Sequence, residues 1–272
     1  MEPNTTEYKG GLTDRESFLI STLARQDKAV FSIEQARGVM GENAKKVMHS
    51  LIQKKWVLPL KRGLYAIVPL DVGVGGADSF VLHNFVIGSL LVDSYYIGFW
   101  SALNYHGLSS QIPRTTFVAT TQAKKPIDVT GSQYRFVKLS RRKFFGFSEI
   151  EMDSRKVNIS TPEKTVADCL DHPEHGGGID EVARSIFFSY KELDMDMIKE
   201  CALKMKNLTI LKRLGYILDV TGLLGSFSHL FVGIELSAGY PPLGLLSPRK
   251  GRYDSKWRLL VNCEINKESW MY

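Results

Sequence analysis

Between Glu42 and Val68 the apolar positions change period once, and that change predicts a helix followed by a hairpin. Ala44, Val47, Met48, Leu51 and Ile52 recur at i, i+3, i+4, i+7 and i+8, one face of a helix over 42–54. Asn43, Lys45, Lys46, His49 and Gln53 fall on the opposite face. Trp56–Leu60 and Leu64–Val68 then read as strands around Lys61-Arg62-Gly63, a hairpin with a basic tip. Pro59 has no N–H to give a ladder, so its strand belongs at a sheet edge.

Two helix starts precede this stretch. Thr13-Asp-Arg-Glu16 and Ser32-Ile-Glu-Gln35 both have the form of a capping box, in which the first side chain and the fourth satisfy each other's backbone amides. The first predicts a helix to about Arg25 that buries Phe18, Leu19, Thr22 and Leu23. The second predicts a short helix through Val39 with Ile33 and Ala36 inward. Gly41 permits a tight turn into the third helix. Three helices, the last two joined by a short turn, and then a basic hairpin make up a winged helix-turn-helix pattern.

Pro69 to Ala77 holds three glycines and reads as a linker. Beyond it, helices are expected over 78–91 and 95–105, strands over 115–121, 134–139 and 156–160, and a helix opened by Thr161-Pro162. Further helical segments lie near 179–190, 194–205 and 208–221, and Trp257–Asn262 reads as a last strand. The chain therefore predicts an α+β protein. Residues 1–70 would form a winged helix-turn-helix domain, 71–77 the linker, and 78–272 a larger mixed α/β domain.

Charge sharpens the reading of the first part. The 272 residues are 44% hydrophobic and 24% charged, an ordinary globular composition, with a formal net charge of +6. Residues 1–70 hold eleven Lys or Arg against seven Asp or Glu, so most of the excess sits in the first quarter. From Asn43 to Val68 there are six bases and no acid. A helix with one dry face and one cationic, amide-bearing face suits the major groove. Asn43, Lys45, Lys46, His49 and Gln53 are the expected groove-facing residues. Lys54 and Lys55 are expected on the DNA backbone, and Lys61 and Arg62 on phosphate or the minor groove. Two further clusters set bases beside aromatics, a combination suited to nucleic acid. One is Arg141, Arg142 and Lys143 before Phe144. The other is Arg249 to Arg258 with Tyr253 and Trp257.

The remaining chemistry is thin. Cys169, Cys201 and Cys263 show no zinc or disulfide spacing, which suits a reducing cytoplasm. No signal sequence or membrane-length apolar run is evident. Gly73-Val-Gly-Gly76 lacks the rest of a phosphate loop. Gly88-Ser89 lacks the Asp-x-Asp of a nucleotidyltransferase. His172-Pro-Glu-His175 is followed by three glycines, which argues for a polar loop over the rigid helix of an HExxH metal site. Asp194-Met-Asp196 sits at a predicted helix start, where carboxylates favour the macrodipole. No catalytic residue, cofactor or metal is implied.

Three blocks carry a family resemblance. They are Tyr95-Tyr-Ile-Gly-Phe-Trp-Ser-Ala-Leu-Asn-Tyr-His-Gly-Leu108, Thr116-Phe-Val-Ala-Thr-Thr121, and Ser160-Thr-Pro-Glu-Lys-Thr-Val-Ala-Asp168. Together with the region before them they resemble the AbiEi family, antitoxins of type IV toxin–antitoxin systems, over about residues 13–170. Trp100 departs from the pattern by its bulk. The resemblance implies a repressor that binds inverted repeats in double-stranded DNA upstream of its own operon. It also implies a C-terminal domain that counters a nucleotidyltransferase-like toxin without a stable complex. It leaves Ser101, His106 and Gly107 as structural positions first. Two other readings compete: a nucleic-acid-processing enzyme using the C-terminal basic clusters, and a winged fold that binds protein. A magnesium-dependent nuclease assay and a gel shift on the upstream region separate them.

Overall fold

The computed structural model of the chain describes residues 11–26, 28, 30–68, 82–129, 131–153 and 155–271. The expected 71–77 linker lies outside them. The chain divides into two compact units, Met1–His83 with Val129–Gly131, and Asn84–Asp128 with Ser132–Tyr272.

The first unit begins with α1 (Asp14–Arg25), β1 (Val30–Ser32), α2 (Ile33–Met40) and α3 (Ala44–Gln53). Both capping boxes form. Thr13 N donates to Glu16 Oε2 at 2.7 Å, and Ser32 N donates to Gln35 Oε1 at 2.7 Å. Leu19 and Leu23 of α1 are buried, but Phe18 stays 57% exposed, contrary to expectation. The stripe that faces inward runs through Glu16, Leu19 and Leu23, and Phe18 lies about 100° away from it. Gly41 ends α2 at φ 57°, ψ −135°, open to glycine alone, and a 3₁₀ turn over Gly41–Asn43 leads into α3. Phe31, Ala36, Ala44, Val47, Met48, Leu51 and Val57 close one small core with Leu19 and Leu23.

The hairpin is β2 (Val57–Lys61) and β3 (Leu64–Ile67), paired antiparallel, with Gly63 turning at φ 81°. β1 pairs with the free side of β3, giving the order β1-β3-β2. Pro59 thus sits on an edge strand, as its missing donor requires. β1 is three residues long, too short to show a period, so the sequence pattern hides it.

The second unit carries α4 (Asn84–Leu91), β4 (Tyr95–Ile97), α5 (Phe99–Tyr105), β5 (Thr115–Thr120), β6 (Ile127–Val129, its last residue counted with the first unit), β7 (Ser132–Lys138), β8 (Phe147–Met152) and β9 (Arg155–Ser160). These strands form one mixed sheet in the order β6-β7-β5-β4-β9-β8. β5 runs parallel to β7 and β4 parallel to β9; β4 with β5 and β8 with β9 run antiparallel. The expected helix over 95–105 is corrected here. Tyr95, Tyr96 and Ile97 form an inner strand buried on all three residues, and the helix begins only after Gly98. Strand neighbours on both sides outweigh the helical spacing of a short apolar run. Residues 82 and 83 are not helical, so α4 starts later than expected. β8, a half-exposed edge strand, gave no clean alternation.

α6 (Pro162–Asp171) opens as its sequence predicts, with Thr161 accepting from Lys164 N at 3.3 Å and Pro162 in the first turn. α7 (Ile179–Ser189), α8 (Met195–Met205) and α9 (Leu208–Val220) follow, and their apolar faces join α6 and the sheet in one core. Asp194 caps α8 by accepting from Met197 N at 3.0 Å, the structural role read for it. A small hairpin, β10 (Arg252–Asp254) and β11 (Leu259–Val261), follows, and after it a 3₁₀ turn over Lys267–Met271. Arg213 of α9 is buried, and its guanidinium donates to the carbonyls of Leu170, Asp171 and Pro242. It thereby satisfies the free carbonyls ending α6 and ties the last segment down. No described helix is long and apolar enough to cross a membrane.

Candidate nucleic-acid interface

α3 sorts its side chains cleanly. Ala44, Val47, Met48 and Leu51 are buried, and Asn43, Lys45, Lys46, His49 and Gln53 are all exposed. The two sets alternate with the helical period, so burial of one pushes the other into water as a single stripe. The tip of the β2–β3 hairpin exposes Arg62, while Lys61 is half-buried. Gly63 O accepts from Ile33 N at 2.9 Å, which fixes the tip against the start of α2.

Lys54 behaves differently from its neighbours. Its ammonium donates to Glu16 Oε2 at 2.7 Å and to the carbonyl of Gly11 at 2.9 Å. Burial pushes the Glu16 carboxyl up, but bonds from Lys54, Ser50 and Thr13 outweigh it and hold the group at about 2. Lys54 is therefore an internal tie between α1 and the end of α3. Lys55 takes a left-handed backbone (φ 61°) and is half-buried.

In the second unit the basic clusters come apart. Arg141 and Arg142 are exposed on a 3₁₀ turn, but Lys143 is bound to Asp171 at 2.5 Å. Tyr253 is 71% exposed, whereas Trp257 is buried and donates to Asp219 Oδ2 at 2.9 Å. Lys256 pairs with the same carboxylate, and Arg258 donates to Leu236 O. The expected aromatic-basic surface thus lacks its indole, because Trp257 is the larger apolar group and goes to the core.

The resemblance blocks build structure. Ser101 Oγ accepts from Phe117 N at 2.9 Å, and His106 Nε2 lies 2.7 Å from Ser160 O. Burial pulls the His106 imidazole below its usual range. Gly107 turns at φ 71°. Sequence reasoning missed a buried polar group beside them: Lys164, Asp168 and Tyr96 are fully buried and mutually hydrogen-bonded. Burial raises the Tyr96 phenol well above its usual value, and burial also lifts the Asp168 carboxyl against the pull of Lys164. The only signal in the sequence was the i, i+4 spacing of Lys164 and Asp168. His172, Glu174 and His175 bring one donor atom each within 4.8 Å of one another, the one His/Cys/Asp/Glu group among the described residues close enough to hold a metal.

Residues 96–220 match the family described as the AbiEi antitoxin C-terminal domain. The match spans β4 to the end of α9 and includes most of the blocks quoted above. Among solved structures, the RV2827C protein from Mycobacterium tuberculosis shares the fold, with a TM-score of 0.65 over 94% of each chain at 12% sequence identity. No curated protein matches the sequence.

Proposed function

We propose that this chain, whose residues 96–220 match the AbiEi antitoxin C-terminal domain, is the antitoxin and autorepressor of a type IV toxin–antitoxin system. Its first unit is a winged helix-turn-helix that binds inverted repeats in double-stranded DNA upstream of its operon. Residues 78–272 act against a nucleotidyltransferase-like toxin without a stable complex.

The observation that carries the DNA reading is the exposed stripe on α3. Asn43, Lys45, Lys46, His49 and Gln53 line one face, with no acid between Asn43 and Val68. Amides and imidazole supply base-edge hydrogen bonds, and ammonium groups supply phosphate contacts. Arg62 and Lys61 form the wing tip, where contact with the sugar–phosphate backbone needs charge alone. Lys55 stays beside the backbone path. Lys54 drops out of the phosphate-contacting set, since Glu16 already neutralises it. Arg141 and Arg142 are candidates for additional contacts.

The test is binding of the whole chain to the duplex upstream of its gene, measured by fluorescence anisotropy over a range of salt concentrations. A duplex of equal length and unrelated sequence serves as the competitor. The upstream duplex should win at every salt concentration, with affinity falling as salt rises. Equal affinity for the two duplexes would overturn the repressor reading.

A further inference from the structure

We propose that His172, Glu174 and His175 form a binding site for a borderline divalent transition metal ion, zinc above all, and that Asp171 orients its first ligand. The proposal stands apart from the DNA reading and uses only the second unit.

The segment is more rigid than its Pro and Gly content suggests. α6 ends at Asp171, and Pro173–His175 form a 3₁₀ turn. His175 N donates to His172 O at 3.0 Å, and Gly178 N donates to Pro173 O at 2.8 Å. Two of the three glycines that follow are there for packing. A Cβ on Gly176 would meet the Cys169 side chain at 2.9 Å, and one on Gly177, at φ 85°, would meet Trp100 at 2.9 Å. Phe99, itself at φ 54°, sets its ring edge-on to both imidazoles, at 6.4 Å from His172 and 5.5 Å from His175. Phe117 packs on His175 from 5.7 Å. A bulky residue at positive φ is a cost that the surrounding packing must hold in place. Here that packing fixes the two rings.

The donors converge. His172 Nδ1 lies 3.2 Å from Glu174 Oε1, and His175 Nε2 lies 3.8 Å from the same oxygen. Donors about 2.0–2.2 Å from a tetrahedral zinc stand about 3.3–3.5 Å apart, so small side-chain rotations close the site. Two imidazoles and one carboxylate are a donor set that zinc uses, with a fourth position left for water. Harder ions such as magnesium prefer oxygen throughout.

Two further observations point to a ligand. Glu174 Oε2 and His175 Nδ1 are shut off from solvent without a hydrogen-bond partner. Buried polar atoms without partners are rare, and an ion chelated by both carboxylate oxygens of Glu174 would answer the first; the second lies across the ring from the converging Nε2 and would not touch the ion. Moreover, the far nitrogen of His172, Nε2, lies 3.4 Å from Asp171 Oδ2. Asp171 is in turn held by Lys143 and by Asn207, each at 2.5 Å. A carboxylate behind a ligating histidine sets its tautomer and ring orientation, the usual support of such metal sites.

The experiment uses the full chain, stripped with a chelator and then titrated with zinc alone against a chromophoric competitor. One zinc per chain should bind, and binding should raise the thermal midpoint. Asp171→Asn should weaken zinc about 10–100-fold, and His172→Ala or His175→Ala should weaken it beyond that range. Glu174→Gln is close in shape, and its metal-free unfolding midpoint shows whether it folds. Folded E174Q should bind zinc more weakly than the wild type. The proposal falls if E174Q binds as tightly as the wild type. It falls equally if the wild type binds no better than the His172→Ala/His175→Ala double variant, whether both bind or neither does.

Discussion

The Tyr96 phenol donates to Asp168 Oδ2 at 2.8 Å and accepts from the Lys164 ammonium at 3.0 Å, with all three side chains fully buried. β4 supplies the tyrosine and α6 the ion pair, so the group links the centre of the sheet to the helix laid on it. Removing one member of a buried pair leaves the other charge without compensation. Asp168→Ala or Lys164→Ala should therefore cost about 3–5 kcal/mol. Tyr96→Phe should cost about 1–3 kcal/mol, since it removes bonds to charged groups and leaves the pair. Urea unfolding measures all three. Equal losses in Y96F and D168A would contradict this ranking.

Glu16 makes the first unit acid-sensitive. Its carboxyl is held at about 2 against an ordinary 4.5. A depressed carboxyl contributes stability that is whole above pH 4.5 and lost as pH falls toward 2. The contribution is on the order of 1–2 kcal/mol once screening near the partly exposed Lys54 is allowed for. Wild type should lose this increment between pH 5 and pH 2.5, and Glu16→Gln should not. Parallel unfolding curves for the two proteins across that range would refute the assignment.

The α3 stripe predicts a graded response to DNA. Lys45→Ala with Lys46→Ala should lower the magnitude of the salt slope by about two, one for each neutralised phosphate. His49→Ala and Gln53→Ala should instead narrow the gap between the upstream duplex and an unrelated one, leaving the slope unchanged. Lys54→Ala should leave the slope unchanged and lower stability, because its charge serves Glu16. Anisotropy titrations at several salt concentrations read all of these. A slope unmoved by the double substitution removes α3 from the interface.

Gly215 lies mid-helix in α9, where alanine would ordinarily gain about 1 kcal/mol. Here an added Cβ would meet the Trp257 ring at 2.0 Å. That ring is 5% exposed, packs on Phe231 at 4.7 Å and donates to Asp219. Expelling it should cost about 3–5 kcal/mol, leaving Gly215→Ala a net loss of about 2–4 kcal/mol. A red-shifted tryptophan emission together with a lower unfolding midpoint is the expected result. Unchanged emission would show that the indole is not seated on α9.

Several of these positions were legible in the chain, and others were not, for identifiable reasons. The helix starts at Thr13, Ser32 and Thr161 could be read because a cap is a local arrangement of four residues. α3 could be read because ten residues are enough to display a period. Tyr95–Ile97 could not, because three residues have no period and strand pairing comes from β5 and β9, distant in sequence. The His172–His175 turn read as a polar loop because proline and glycine signal irregular backbone. The close approach of Gly176 to Cys169 and of Gly177 to Trp100 is invisible without the fold.

What the sequence alone determined is local: capped helices, the dry and wet faces of α3, the edge position of Pro59, and the AbiEi-like blocks. Each rests on residues within one or two turns of each other, where geometry follows directly from spacing. Tertiary structure decided the pairings. It gave Lys54 to Glu16, Lys143 to Asp171 and Trp257 to Gly215, and it brought Tyr96 to Lys164 and Asp168. A charged or aromatic side chain goes to whichever partner the fold brings within reach, and spacing along the chain does not encode that partner.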